Sequence, residues 1–151
     1  MPMNGKVVVV TGGAMGIHRH IPKTFAQAGA KVAIADIPSM DEVADEIRAL
    51  KAEVLPVRCD IRLEHEVKAM VDHAIRRFGR IDVLVNNAGV VTHFQWGNPR
   101  WPLIKDQDKS FWDNVLNTNL NGTFLCCKHV IPHMERQGGG QHVRRRGASR
   151  P

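Results

Sequence analysis

The stretch Val7 to Gly16, reading VVVVTGGAMG, constrains this chain more than any other. Four β-branched residues in a row fit a strand buried on both faces, because a strand with one solvated face alternates apolar and polar positions. Thr11-Gly12-Gly13 stops that run and lets the backbone turn sharply, and a helix is expected to follow from Gly16. A strand, a glycine turn and a helix N-terminus bring unpaired N–H groups and the positive end of the helix dipole to one point. Such a point is an anion site of a kind that suits a dinucleotide pyrophosphate.

Downstream the pattern repeats as strand and helix in alternation. Val7–Thr11 is the first strand, and its helix is expected from Gly16 to about Ala28, ended by Gly29. Lys31 to Ala35 is a second strand closed by Asp36, and a helix follows over Asp41 to Lys51 with Val43, Ile47 and Leu50 on one face. Val54 to Arg58 is a third strand closed by Cys59-Asp60. Glu64 to Phe78 is helical, burying Val67, Met70, Val71, Ala74 and Ile75 and stopping at Gly79; Asp82 to Asn86 is the fourth strand. Crossovers of this length imply parallel strands covered on both faces, an α/β, Rossmann-like doubly wound sheet. Asn87 to Lys109 reads as a long irregular loop, with Trp96 and Trp101 either lining a substrate cleft or pinning the loop down. A long helix is expected from Ser110 to about Gln137, bent by Pro132 and ended by Gly138-Gly139-Gly140.

After that helix a doubly wound domain wants a fifth apolar strand. QHVRRRGASRP offers one apolar branched residue and four arginines, so the sheet is expected to be incomplete at about four strands. The domain is expected over residues 1–137, with 138–151 a disordered Gly/Arg-rich tail. Charge supports that division. The net +6 arises almost wholly after Glu135, since the first 135 residues carry 16 basic and 15 acidic side chains. The basicity therefore argues for no specific nucleic-acid partner. No apolar run approaches the ~20 residues of a membrane span, and Val7–Val10 is too short for a secretory signal core, so a cytoplasmic location is expected. Cys59, Cys126 and Cys127 suit buried reduced thiols. His129 and His133 stand four apart but have no third ligand in sight, so no metal site is expected.

Thr11-Gly12-Gly13-Ala14-Met15-Gly16 resembles the TGxxxGxG fingerprint of the short-chain dehydrogenase/reductase family. The resemblance continues in register over roughly residues 3 to 140, through Asp36, Asp60, Asn86-Asn87-Ala88-Gly89 and Asn119 in TNLNGTF. It implies hydride transfer between a nicotinamide cofactor and a small alcohol or carbonyl substrate. Gly12 and Gly16 would admit the pyrophosphate to the backbone, with Met15 and Ile17 beside them. Asp36, next to Ile37, would accept hydrogen bonds from the adenosine ribose and repel a 2′-phosphate, which favours NAD over NADP. Asp60 would hold the adenine amino group, with Ile61 near the ring, while Asn87, Ala88 and Gly89 would line the cofactor. Asn119 matches the family's catalytic asparagine, which holds a water of the proton relay. Taken singly, each of these acids and amides also reads as a cap, turn or solvated surface residue. The resemblance further implies a homo-oligomer through the long helix 110–137.

The chain departs from the family pattern in ways that bear on activity. It contains no tyrosine, so the YxxxK pair that exchanges a proton with substrate is absent from it, and Ser149 stands in an arginine-rich context unlike that of the family's serine. His18 occupies the third glycine position, where it is expected to crowd the turn, and Pro22 falls inside the expected first helix at a cost of about 3 kcal/mol. The chain is accordingly read as the cofactor-binding portion of an NAD-dependent dehydrogenase, truncated before the catalytic serine and tyrosine and inactive alone. Two other readings compete: a non-catalytic NAD-binding or sensing protein, and a non-functional remnant of a shifted reading frame. A frameshift after Gly140 predicts that another frame of the downstream DNA encodes an apolar strand, a serine and YxxxK.

Overall fold

A computed structural model of the protein describes residues 2–90 and 103–144. Five parallel strands form one sheet: β1 (Val7–Thr11), β2 (Lys31–Asp36), β3 (Val54–Arg58), β4 (Val83–Asn86) and β5 (Gln141–Arg144), in the order β3-β2-β1-β4-β5. The helices are α1 (His20–Gln27), α2 (Asp41–Ala49), α3 (Glu64–Phe78), α4 (Lys109–Leu116) and α5 (Thr123–Arg136). The chain passes from β1 outward through β2 to β3, then returns to the other side of β1 for β4. That reversal places the loops after β1 and β4 side by side at the carboxyl edge of the sheet, where doubly wound folds bind ligands.

β1 explains the core. Its four valines are fully buried, but they serve opposite faces in turn. Val8 and Val10 join Val32, Ile34, Val43 and Ile47 under α1 and α2. Val9 joins Ala33, Val67, Met70, Leu84 and Val130 under α3 and α5. Gly79 ends α3 in the left-handed conformation (φ 79°), and its N–H donates to Ile75 O. At the amino edge, Asp82 is clamped: Oδ2 accepts from Val7 N at 3.0 Å and Arg80 Nε at 2.8 Å, and Oδ1 accepts from Lys6 Nζ at 3.1 Å. Burial opposes its ionisation, but Arg80, the Val7 N–H and Lys6 outweigh that and hold the carboxyl below its usual range.

Two expectations are corrected here. The sheet has five strands rather than about four. β5 pairs with β4 in the register Val85↔Val143, and Gln141 N donates to Asp82 O at 2.9 Å. It lies at the edge of the sheet with Gln141, His142 and Val143 exposed, and an edge strand needs backbone partners but no apolar pattern. The second correction concerns the first helix. It starts at His20, after a 3₁₀ turn over Gly16–Arg19, so Pro22 is its third residue. The first four N–H groups of a helix have no intrahelical acceptor, so a proline there forfeits no bond and the expected penalty does not arise. The buried ring of Pro22 instead seats against Gly13, where an added Cβ would lie 3.3 Å from Pro22 Cγ and 3.1 Å from Ile34 Cγ2. The close contact of helix with sheet is thus made at Gly13, and His18 stays half-buried on the turn.

Residues 109–136 form the expected long helix, but its turns loosen in the middle into a π-helical segment, Asn117–Gly122. Trp96, Trp101 and residues 145–151 lie outside the described residues, as does most of the expected irregular loop. Among the described residues no helix is long and apolar enough to cross a membrane.

Candidate functional site

Most of the predicted cofactor residues lie at the carboxyl ends of strands, and a cleft of about 260 Å³ gathers them. The loop after β1 supplies Gly12 and Met15, the end of β2 Asp36 and Ile37, and the end of β3 Asp60 and Ile61. Asn87, Ala88 and Gly89 enter from the end of β4. Gly16 and Ile17 stand outside the lining on the exposed 3₁₀ turn, where Ile17 is 83% exposed.

The central wall is laced together by side chains. Thr11 Oγ1 accepts from Asn87 N and Ala88 N, both at 3.2 Å. Asn87 Nδ2 returns across the gap to donate to Thr11 O at 3.0 Å and Gly12 O at 2.6 Å. Asn87 Oδ1 is buried and finds no donor among the described residues, as does Asn86 Oδ1. Gly12, at φ 69°, touches this wall so closely that a Cβ would lie 2.5 Å from Ala88 Cα. Gly16, at φ 57°, has open space where its Cβ would be.

Asp36 terminates β2 facing the glycine loop. Its Oδ2 accepts from Ala14 N at 2.9 Å and its Oδ1 from Ile37 N at 2.8 Å. These backbone donors orient the carboxylate and leave lone pairs on both oxygens for further donors. The Arg19 guanidinium on the 3₁₀ turn pairs with Glu42 and Glu46 of α2. A carboxylate held between its own loop and the glycine loop, next to the open space at Gly16, offers the polar complement that a ribose and a pyrophosphate require.

Asn119 lies within the π-helical segment, against Val90 of the cleft lining. Its Nδ2 donates to Val90 O and its Oδ1 accepts from Val90 N, each at 2.8 Å, so the amide pairs with the backbone as a strand would. Thr123 Oγ1 donates to Asn119 O at 3.0 Å. A π segment breaks the usual i to i−4 ladder and re-aims side chains, and such segments recur at functional positions.

His18, which stands at the third glycine position, and Cys59 also line the cleft, together with four residues that no sequence pattern marked: Arg62, Val90, Asn114 and Thr118. Asn114 and Thr118 come from the long helix one turn apart, a spacing that an apolar pattern does not mark. Cys59 is buried, which pushes its thiol up to about 12 and makes it a wall rather than a nucleophile. Arg62 grips Asp60 and reaches Asn114 Oδ1 at 2.6 Å. Its hydrogen bonds hold the Asp60 carboxyl below the usual range. Elsewhere, His129 Nε2 lies 2.9 Å from Glu64 Oε1, and His133 Nδ1 lies 3.0 Å from Arg136.

Residues 6–144 match the family described as short chain dehydrogenase. The chain is similar to the 3-oxoacyl-[acyl-carrier-protein] reductase FabG of Thermotoga maritima, with 35% identity over 145 residues that cover 95% of this chain and 56% of the relative. A short-chain type dehydrogenase/reductase from Mycobacterium marinum superposes with a TM-score of 0.86 at 32% identity, covering 95% of this chain and 56% of the other. A 7 alpha-hydroxysteroid dehydrogenase complexed with NADH and 7-oxo glycochenodeoxycholic acid superposes with a TM-score of 0.83 at 36% identity, covering 95% and 53%. The chain therefore spans about half the length of the relatives it matches.

Proposed function

The chain belongs to the short-chain dehydrogenase family, and from that premise we propose that it is the cofactor-binding portion of an NAD-dependent oxidoreductase of small alcohols and carbonyl compounds, acting in the cytoplasm. The observation that carries this reading is the meeting of four strand ends at one cleft, with Asp36 held by Ala14 N and Ile37 N. When bound, the nicotinamide supplies a hydride acceptor or donor. The chain's own residues bind and orient it. Gly12 and Gly16 bring backbone against the pyrophosphate, with Met15 and Ile17 flanking. Asp36, beside Ile37, accepts from the ribose hydroxyls, and its charge excludes a 2′-phosphate. Asp60 and Ile61 border the adenine end, while Asn87, Ala88 and Gly89 line the central wall. Asn119 holds Gly89 and Val90 in place and is the proton-relay residue of the complete site.

This reading separates binding from turnover. With no tyrosine among its 151 residues, the chain has no phenol to exchange a proton with the substrate oxygen. The 151-residue protein is expected to bind NAD and to form NADH from a panel of secondary alcohols no faster than a protein-free blank. Steady NADH formation would overturn the inactivity and leave the cofactor assignment standing.

We also propose that the chain self-associates through its long helix. Trp112, Leu116, Leu120 and Phe124 recur every fourth residue and are 48%, 38%, 54% and 62% exposed, a stripe that water solvates poorly. Sedimentation of the wild-type protein is expected to show a dimer or larger species, and Leu120→Glu with Phe124→Glu to leave a folded monomer. A monomeric wild type would rule this interface out.

A further inference from the structure

His18 stands at the third glycine position of the fingerprint, whose purpose is close packing of helix on strand. In this chain that contact is made elsewhere, by the buried ring of Pro22 against Gly13, so position 18 can carry a side chain. His18 is half-buried and lines the cleft together with Gly12, Met15 and Asp36.

The fixed charges of the cleft do not by themselves favour an anion. Asp36 enters it from the end of β2 and Asp60 from the end of β3. Among the described residues, the permanent cations of the lining, the 3₁₀ turn and α1 are all paired: Arg62 with Asp60, Arg19 with Glu42 and Glu46, and Lys23 with Glu46. Additional positive charge at the glycine loop must therefore come from a side chain that gains a proton. Histidine is the residue type that does so near neutral pH, and among the described residues His18 is the histidine of the lining. Cys59, which shares that lining, keeps its proton there, because burial pushes its thiol up to about 12. His20, at the head of α1, is exposed and outside the lining.

From this half-buried histidine in the glycine-loop cleft, at a position relieved of its packing duty by Pro22 and Gly13, we propose that His18 binds the dinucleotide pyrophosphate as an imidazolium and makes affinity depend on pH. The inference rests on the cofactor reading above. An imidazolium makes a charge-assisted hydrogen bond to a phosphate oxygen that is stronger than the one a neutral ring makes. Binding then takes up a proton, and by reciprocity the protonated protein binds more tightly, so affinity falls as pH rises.

Titrations of the 151-residue protein with NAD and with ADP-ribose, at about pH 6 and about pH 8, test this with binding as the readout. ADP-ribose keeps the pyrophosphate and lacks the nicotinamide, and the pyrophosphate stays ionised across this window. The wild type is expected to bind both ligands about fivefold more weakly at the higher pH, part of the worth of one hydrogen bond to a charged group. His18→Gln keeps a polar side chain without the charge, and His18→Gly restores the family residue; in both, the dissociation constants are expected to agree within about twofold at the two pH values. A wild-type constant that does not change with pH overturns the inference and leaves the cofactor reading intact. So does a pH effect seen with NAD and not with ADP-ribose, or one that persists in either folded variant. Tighter binding by His18→Gly than by the wild type at both pH values also overturns it, by showing that the ring obstructs the site. If the wild type binds neither ligand at either pH, the cofactor reading fails and this inference with it.

Discussion

Replacing Gly12 by alanine is expected to abolish measurable dinucleotide binding and to destabilise the fold by about 3 kcal/mol. Two effects act together at this position. The residue holds φ at 69°, which costs an L-residue ~1–2 kcal/mol. The new Cβ would also lie 2.5 Å from Ala88 Cα and 2.8 Å from Ala88 N, and these are backbone atoms that no rotamer change can move. Relief requires the loops after β1 and β4 to part. That parting breaks the 2.6 Å hydrogen bond from Asn87 Nδ2 to Gly12 O and opens the wall of the cleft. Gly16→Ala is the informative control, because its φ of 57° carries the same backbone strain but its Cβ meets nothing within 4 Å. Urea unfolding of both variants is expected to show a loss of only ~1–2 kcal/mol at Gly16. An equal effect at the two positions would mean that close approach to Ala88 is unimportant.

Asp36→Ala is expected to shift the ratio of NAD to NADP affinity by about a hundredfold toward NADP. Loss of hydrogen bonds to a charged acceptor weakens NAD by ~1.5–3 kcal/mol, and removing the carboxylate relieves repulsion of the 2′-phosphate. Each 1.4 kcal/mol is about a factor of ten, so the two effects together reach the predicted size. Asp36→Asn keeps a single acceptor, enough for Ala14 N or Ile37 N but not both, and removes the charge, so an intermediate ratio is expected for it. Parallel titrations with the two cofactors check this. A ratio unchanged in both variants would remove Asp36 from the specificity argument.

The parts of the fold set by side-chain pattern were legible in advance. Val7–Thr11, Val54–Arg58 and Glu64–Phe78 have the bounds expected of them, because apolar period and glycine punctuation determine where each begins and stops. The convergence of Gly12, Asp36, Asp60 and Asn87 also followed, since parallel strands put all their carboxyl ends on one edge. What stayed hidden depends on backbone or tertiary choice. β5 is held by main-chain pairing at an edge, so its sequence, QHVR, carried no strand signal. Pro22 looked like a helix breaker until the helix proved to begin two residues before it. The π-helical turn around Asn119 shows in hydrogen-bond spacing, which the residues NTNLNG do not encode visibly. Arg62 reads as an ordinary surface cation in sequence, and only the approach of α4 to the loop after β3 gives it partners.

On the reading proposed here, the chain is an NAD cradle separated from the proton-transfer chemistry of its family. The decisive experiment is calorimetric titration of the purified 151-residue protein with NAD and NADP, paired with an assay for NADH formation from secondary alcohols. Saturable one-site binding of NAD, weaker binding of NADP, and no NADH above the protein-free blank are expected. A folded protein that takes up neither dinucleotide would contradict that reading.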